Sequence, residues 1–380
     1  MRFALLLALL TLPTLAALAA DPILIAPKSP THNRHSEGSA LELTPGGRIL
    51  ATWTRFNKSG SDDGPATLVA SHSDDAGKTW SAPRELPVGA GKVNVMQSGL
   101  LAEGGRVLCF FSVRDSRVQA GKFLIESTDA GQTWSDRRRV TPEDQGYVTG
   151  ANDRAVRLRS GRILLPCHMR VGPDDLNVRV ARSDDKGKTW TLGPALPYQT
   201  VANRAKPYRT LEAGVAELSK DNHLLMILRS STGRLFTSRS QDAGDTWTAP
   251  VMTSIPALEA PPLLKRLTDG RLMLLWNPPA DFDLKLPLSL APPAGELPPA
   301  KGNRPFMKPR TRLALSLSAD DGQTWSPPQI IASDPKAGVT YPAALPLADN
   351  KRLLVFYSRA ASGIIADASW EVVTVDLPPN

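Results

Sequence analysis

Six short apolar runs, each entered through a turn, set the rhythm of this chain. They read GGRILATW at 46–53, GGRVLCFF at 104–111, SGRILLPC at 160–167, DNHLLMIL at 221–228, DGRLMLLW at 269–276 and DNKRLLVFY at 349–357. Each is brief, bounded by turn residues and rich in Leu, Ile and Val, the pattern of a buried strand. No long amphipathic helical pattern interrupts them. Between them a second phrase recurs five times: Ser, Asp, Gly and Thr-Trp at fixed spacing. It occurs as SHSDDAGKTW (71–80), ESTDAGQTW (126–134), RSDDKGKTW (182–190), RSQDAGDTW (239–247) and LSADDGQTW (317–325). Its serines are Ser73, Ser127, Ser183, Ser240 and Ser318, so the steps are 54, 56, 57 and 78 residues. Even repetition at such a period means one supersecondary unit copied around an axis.

Six strand signals and five Ser-Asp-Gly-Thr-Trp phrases predict an all-β, six-bladed β-propeller whose last blade lacks the phrase. The final strand SWEVVTVDL (369–377) remains, and the segment Ile23–Ala26 is placed to pair with blade six and close the ring. Closure of this kind protects sheet edges. The phrase itself reads as a hairpin tip. Gly supplies a backbone angle that other residues resist, Asp accepts from amides of the turn, and Trp is an apolar anchor. A calcium loop would need more oxygen ligands than one Asp provides. The long 78-residue step holds a Pro-rich insertion at 278–310, which reads as a loop on one rim, a position where lids occur.

The chain has 380 residues, with 34 Pro and 28 Gly, as many turns between short strands require. Residues 1–20 read as a cleavable secretory signal: Arg2, an apolar stretch from Phe3 to Leu15, and Ala17-Leu18-Ala19 as a small-x-small site. Residues 21–380 then form one propeller domain, expected to be secreted or periplasmic and monomeric. No later segment is long and apolar enough to span a bilayer. Cys109 and Cys167, the only 2 cysteines, lie in apolar runs and read as buried thiols. No Cys/His cluster has metal-ligand spacing, so no metal or organic cofactor is expected. The formal charge of +8 comes without a basic run interleaved with aromatics. That argues against nucleic acid and suits an anionic substrate.

In a propeller the innermost strand of each blade lines the channel. Eight to ten residues upstream of each turn stand Glu37, Gln97, Asp153, Glu212, Pro262 and Tyr341. Polar groups therefore converge at one end of the channel, the usual place for a ligand.

Six blades with this phrase resemble the sialidase superfamily, where the phrase is called the Asp-box; the likeness covers residues 30–375. The resemblance implies an exo-α-sialidase acting by retention on sialylated glycans or glycoproteins. In that chemistry Arg residues hold the sugar carboxylate, and a Tyr attacks because a carboxylate nucleophile would be repelled by the substrate. LEAGVAELSKDNHLLMILR matches the fourth blade of sialidases, implying Glu212 as the base partner of the Tyr and Arg229 as one carboxylate-binding Arg. RTRLALSLS matches the fifth, implying Arg310, with Arg312 as fallback. VTYPAAL implies Tyr341 as nucleophile. The loop FNKSGSDDGPATLVASHS offers Asp62, or else Asp63, as the acid. Sialidases open blade one with Arg-Ile-Pro. Here the stretch is RHSEGSALEL, with Ser36 or Glu37 at the Arg position, so Arg34, Arg55 or Arg154 is left to complete the triad. Glu37, Asp153 and Arg154 are further candidates for contact with the sugar. Phrases such as RHSEG, NVM and NDR mark a divergent bacterial branch. Rival readings are another glycosidase or a trans-sialidase on the same propeller, and a non-catalytic glycan-binding propeller.

Overall fold

The computed structural model describes residues 20–43, 47–171, 176–197, 209–293, 308–362 and 366–379. Residues 1–19 of the expected signal at 1–20, and positions 294–307 of the Pro-rich insertion, lie outside them. Among the described residues the only helical element is one 3-10 turn, Glu143–Gln145. Everything else regular is strand, arranged as six antiparallel sheets.

Blade one holds Arg34–Glu42, Ile49–Phe56, Ala66–Ser73 and Arg84–Glu85. Blade two holds Asn94–Glu103, Arg106–Arg114, Ala120–Ser127 and Arg138–Arg139. Blade three has an interrupted inner strand, Val148–Thr149 and Val156–Arg157, followed by Ile163–Arg170, Leu176–Ser183 and Thr191–Leu192. Blade four holds Thr210–Glu217, Leu224–Ser230, Arg234–Ser240 and Val251–Pro256. Blade five holds Leu263–Arg266, Leu272–Trp276, Arg312–Ser318 and Gln329–Ser333. Blade six holds Gly338–Pro346, Arg352–Ser362 and Ala366–Asp376, and Ile23–Ala26 pairs with the last of these as its fourth strand. The ring therefore closes as the sequence implies, with both ends of the fold in one sheet.

Each Asp-box links the third and fourth strands of its blade. Blade six has none because its outer strand comes from the other end of the chain. In the first box Ser73 Oγ donates to Asp75 Oδ1 at 2.8 Å and accepts from Gly77 N at 2.8 Å. Thr79 donates to Asp75 from both its backbone N (2.8 Å) and Oγ1 (2.6 Å), and Trp80 Nε1 donates to Gly77 O at 3.0 Å. Asp129, Asp185, Asp242 and Asp320 repeat the pattern. The Thr79 bonds pull the Asp75 carboxyl down to about 2. The box glycine stands at positive φ, 90° at Gly77. A Cβ there would lie 2.8 Å from Leu354 of blade six, and at Gly131 it would lie 2.9 Å from Leu50 of blade one. Each box thus seats on the second strand of the preceding blade, which is why Gly and a flat Trp recur there.

Between blades the apolar runs found in the sequence form the core. Trp53, Trp370 and Phe356 stack at the one–six junction, with ring centroids 4.7 and 5.2 Å apart. Cys109 and Cys167 are free and buried in this interblade packing.

The innermost strands share one irregularity. In blades one, two, four and six the register slips, so two residues face one partner: Glu37-Gly38, Gln97-Ser98, Glu212-Ala213 and Tyr341-Pro342. The first residue of each pair has positive φ: 55°, 68°, 48° and 54°. Such bulges re-aim a side chain, and non-Gly residues accept this backbone only where the surroundings enforce it. At Glu37 the enforcement is visible. A Cβ on Gly38 would lie 2.3 Å from Trp370 and 2.7 Å from Thr52 O. Asp153 in blade three also stands at positive φ, 55°. Pro262 departs from the expectation because proline cannot adopt that φ, and blade five has no bulge.

Candidate active site

The four bulges lie near the end of the channel where the inner strands begin. The loop after the second strand of each blade emerges at that same end. In blade one this loop carries Asp62, and in blade five it carries the insertion that ends near Arg310. The described part of the insertion packs down, with Leu288 buried against blades four and five and Ser254 N donating to Ala291 O at 2.8 Å.

Tyr341 is 5% exposed. Arg310 lies over its ring, 5.4 Å from the centroid. Burial, together with Asp62, Glu37 and Glu212, drives the phenol well above its ordinary value, against the pull of Arg310. The phenol is therefore protonated at rest. Arg310 itself donates to Thr340 Oγ1 at 2.7 Å and to Glu259 O at 2.8 Å, and has no carboxylate in those bonds.

Arg229 pairs with Glu212 in a short ion pair and reaches Glu259 Oε1 at 3.6 Å. Glu212 is buried, which alone would raise its carboxyl, yet Arg229, His168 and Arg310 hold it below its ordinary value. Arg34 is fully buried at the start of the inner strand of blade one. Its guanidinium stacks on Phe56 at 4.1 Å and donates from Nη1 to Asp62 Oδ1 at 2.7 Å. Its Nε and Nη2, and Nε of Arg229, are buried with no hydrogen-bond partner. An unpartnered buried donor is costly, so these N–H groups mark where an acceptor belongs.

Asp62 and Asp63 are separated by geometry. Asp63 is tied to Arg114 at 2.7 Å and to Arg117 at 2.8 Å. Asn94 Nδ2 fixes the loop by donating to Asp62 O at 2.7 Å and Gly64 O at 2.8 Å. The Asp62 side chain is 49% exposed and faces Arg34 at the mouth of the site. A separate cleft of about 630 Å³ is lined by Lys28, Asn33, Lys58 and Asp367 and includes none of these site residues.

Two of the expected sugar contacts, Asp153 and Arg154, have partners within the protein. Asp153 accepts from Ser39 Oγ at 2.8 Å, Ala344 N at 3.0 Å and Lys265 Nζ at 2.7 Å, joining blades one, five and six across the axis. Arg154 donates to Asn152 O and to Pro262 O, each at 2.6 Å. Both side chains tie the channel, and Arg154 keeps one buried Nε–H without a partner. Arg154 is held by these two carbonyls, and Arg55 by an ion pair with Glu85. Arg34 is the third Arg that faces Tyr341. Counting along RHSEGSALEL placed Ser36 or Glu37 at the Arg position, whereas Arg34 stands at the start of that strand.

Sequence reasoning missed Glu259 and His168. Glu259 is fully buried between Arg229 and the Arg310 contact. Its one signal was an isolated acid in the apolar, Pro-bounded stretch ALEAPP. His168, donor or acceptor to Thr149 Oγ1 at 2.8 Å, keeps a buried, unpartnered Nδ1 close enough to Glu212 for their charges to interact. No group of three or more His, Cys, Asp or Glu able to hold a metal occurs among the described residues. None of their helices is long and apolar enough to cross a membrane.

Comparison with known proteins agrees with this architecture. Residues 47–351 match the family model for the BNR repeat-like domain. A sialidase from Bacteroides fragilis (strain YCH46) is 21% identical over 364 residues, covering 85% of this chain and 59% of the relative. This chain thus spans less than two thirds of that protein. A Dyadobacter fermentans protein of unknown function superposes with TM-score 0.69 at 19% identity, covering 94% and 98% of the two chains. Trypanosoma rangeli sialidase, in complex with 2,3-difluorosialic acid as a covalent intermediate, superposes with TM-score 0.65 at 15% identity, covering 93% of this chain and 58% of the other. At these identities the structural likeness speaks for the fold. The family match covers most of the chain, and the chain belongs to the BNR repeat-like domain family, with the six-bladed propeller of the sialidases.

Proposed function

We infer that the protein is a secreted or periplasmic exo-α-sialidase that removes terminal sialic acid from glycans with retention of configuration. The observation that carries this reading is a buried Tyr on a bulge, ringed by Arg34, Arg229 and Arg310, with donors of Arg34 and Arg229 lacking partners. Three guanidinium groups in a dry site suit a carboxylate.

The steps follow from the residues. The substrate carboxylate engages Arg310 and the free N–H groups of Arg34 and Arg229. Competition for Arg229 loosens its pair with Glu212 and makes that carboxylate a better base. Glu212 takes the phenolic proton as Tyr341 oxygen attacks the anomeric carbon. As the sugar carboxylate takes over Arg34, Asp62 is released from its ion pair, takes a proton from solvent and gives it to the departing oxygen, and the leaving group exits over the exposed face of the loop. Asp62 then takes a proton from water, which displaces Tyr341 from the same face, and the phenol recovers its proton from Glu212.

The test is turnover of a fluorogenic α-sialoside by the chain from residue 21 onward, with the anomeric form of the first product followed by NMR. Release of the α-anomer is expected. An inverted product, or a 2,7-anhydro product, would replace hydrolysis with retention by another reaction. A folded protein without turnover would move the reading to a glycan-binding propeller.

A further inference from the structure

The inner strand of blade one carries a carboxyl that the proposed reaction does not use. Glu37 is 2% exposed and shares the bulge geometry of Glu212 and Tyr341. Its direction is fixed by Gly38, which packs beneath Trp370 where no Cβ fits. Its Oε2 is buried and has no hydrogen-bond partner, as do Nε and Nη2 of Arg34 on the same strand. The side chain is thus held rigidly among the groups assigned to carboxylate binding, with an oxygen still unsatisfied.

The charges around it are closely balanced. On its own strand it faces Arg34, from the blade-one loop Asp62, from blade two Arg114 and from blade four Glu212. Tyr341 of blade six and the buried Lys122 of blade two also feel its charge. His168 of blade three faces Glu212 and Lys122 in turn. Around Tyr341, the cations Arg34, Arg229 and Arg310 already meet the carboxylates Asp62, Glu212 and Glu259. One more negative charge there would oppose an anionic substrate, whereas a neutral carboxyl would leave it welcome and offer an O–H donor.

We propose that Glu37 is a specificity residue of this site: it admits the sugar carboxylate only while it carries its own proton, and it excludes the acid once it is ionised. This rests on the sialidase reading. Burial, opposed by Arg34, raises the Glu37 carboxyl to about 8, so the change falls at mildly basic pH. Below that pH the site accepts the anion, and above it affinity is lost by about tenfold per pH unit.

Calorimetric binding of the 2,3-didehydro analogue of N-acetylneuraminic acid, from pH 6 to pH 10, tests this without requiring turnover. Wild type should weaken above about pH 8, and Glu37→Gln should bind with nearly constant affinity over the same range. Glu37→Asp keeps a titrating group and should keep the basic limb, which separates a charge effect from a packing defect. Lys122→Met isolates the other group that titrates nearby, since Lys122 is lowered by burial to about 8. It should shift the limb without removing it. A limb that persists in Glu37→Gln, or vanishes only with Lys122→Met, overturns the assignment. Absence of binding at every pH in folded wild type rejects the sialidase reading itself, and the role of Glu37 with it.

Discussion

Replacing Tyr341 by Phe is expected to lower kcat on an α-sialoside by at least about 10³-fold while leaving the fold intact. The substitution removes only the phenolic oxygen. The ring still fills the site and still lies under Arg310, and a Phe at this bulge meets the same backbone demand as Tyr. The change in stability should be on the order of one hydrogen bond, about 1 kcal/mol. KM should move little, because the carboxylate is held by arginines rather than by the phenol. Single-turnover kinetics beside a thermal melt would check both halves. Wild-type turnover in the mutant would remove Tyr341 from the chemistry and leave the carboxylate site standing.

The arginines should divide sharply between stability and binding. Arg229 is the buried counterion of Glu212 and also approaches Glu259. Arg229→Ala strands the buried Glu212 carboxylate, and loss of a partner from such a pair costs about 3–5 kcal/mol. A large fall in the denaturant midpoint is expected, with activity lost as well. Arg310 is as deeply buried, yet it donates to a hydroxyl and a carbonyl. Burial, with Arg229 nearby, lowers the affinity of Arg310 for its proton, against the pull of Tyr341. Arg310→Ala therefore strands no carboxylate. It should leave stability less affected while raising KM by roughly 10²-fold or more, the loss of a bidentate carboxylate contact. Equal destabilisation by both variants would contradict this division.

Much of the architecture was legible because it is local and repeated. The Asp-box uses neighbours within eight positions, so its Ser, Asp, Gly, Thr and Trp announce the hairpin wherever it occurs. The positions of Glu37, Gln97, Glu212 and Tyr341 followed from counting back to the inner strand, since every blade repeats the same spacing. Their common positive φ was not legible: only the packing of blade against blade enforces it. The same limit explains Asp153. Its partners Ser39 and Ala344 lie 114 and 191 residues away, so its role as a tie across the axis exists only once the ring closes. Arg34 was one of three candidate arginines in the sequence for a related reason, because only the closed ring brings it toward Tyr341 of blade six. Glu259 belongs to no repeat and precedes the one inner strand that begins after prolines, so no periodicity could point to it.

In the proposed reaction Tyr341 bonds covalently to the sugar. The direct measurement is mass spectrometry of the intact protein, and of its peptides, after exposure to 2,3-difluorosialic acid, whose fluorines slow both formation and breakdown of the glycosyl linkage. One added glycosyl group per chain is expected, located on Tyr341 and absent from Tyr341→Phe. A label on another residue, or a folded chain that turns over sialoside and takes no label, would contradict it.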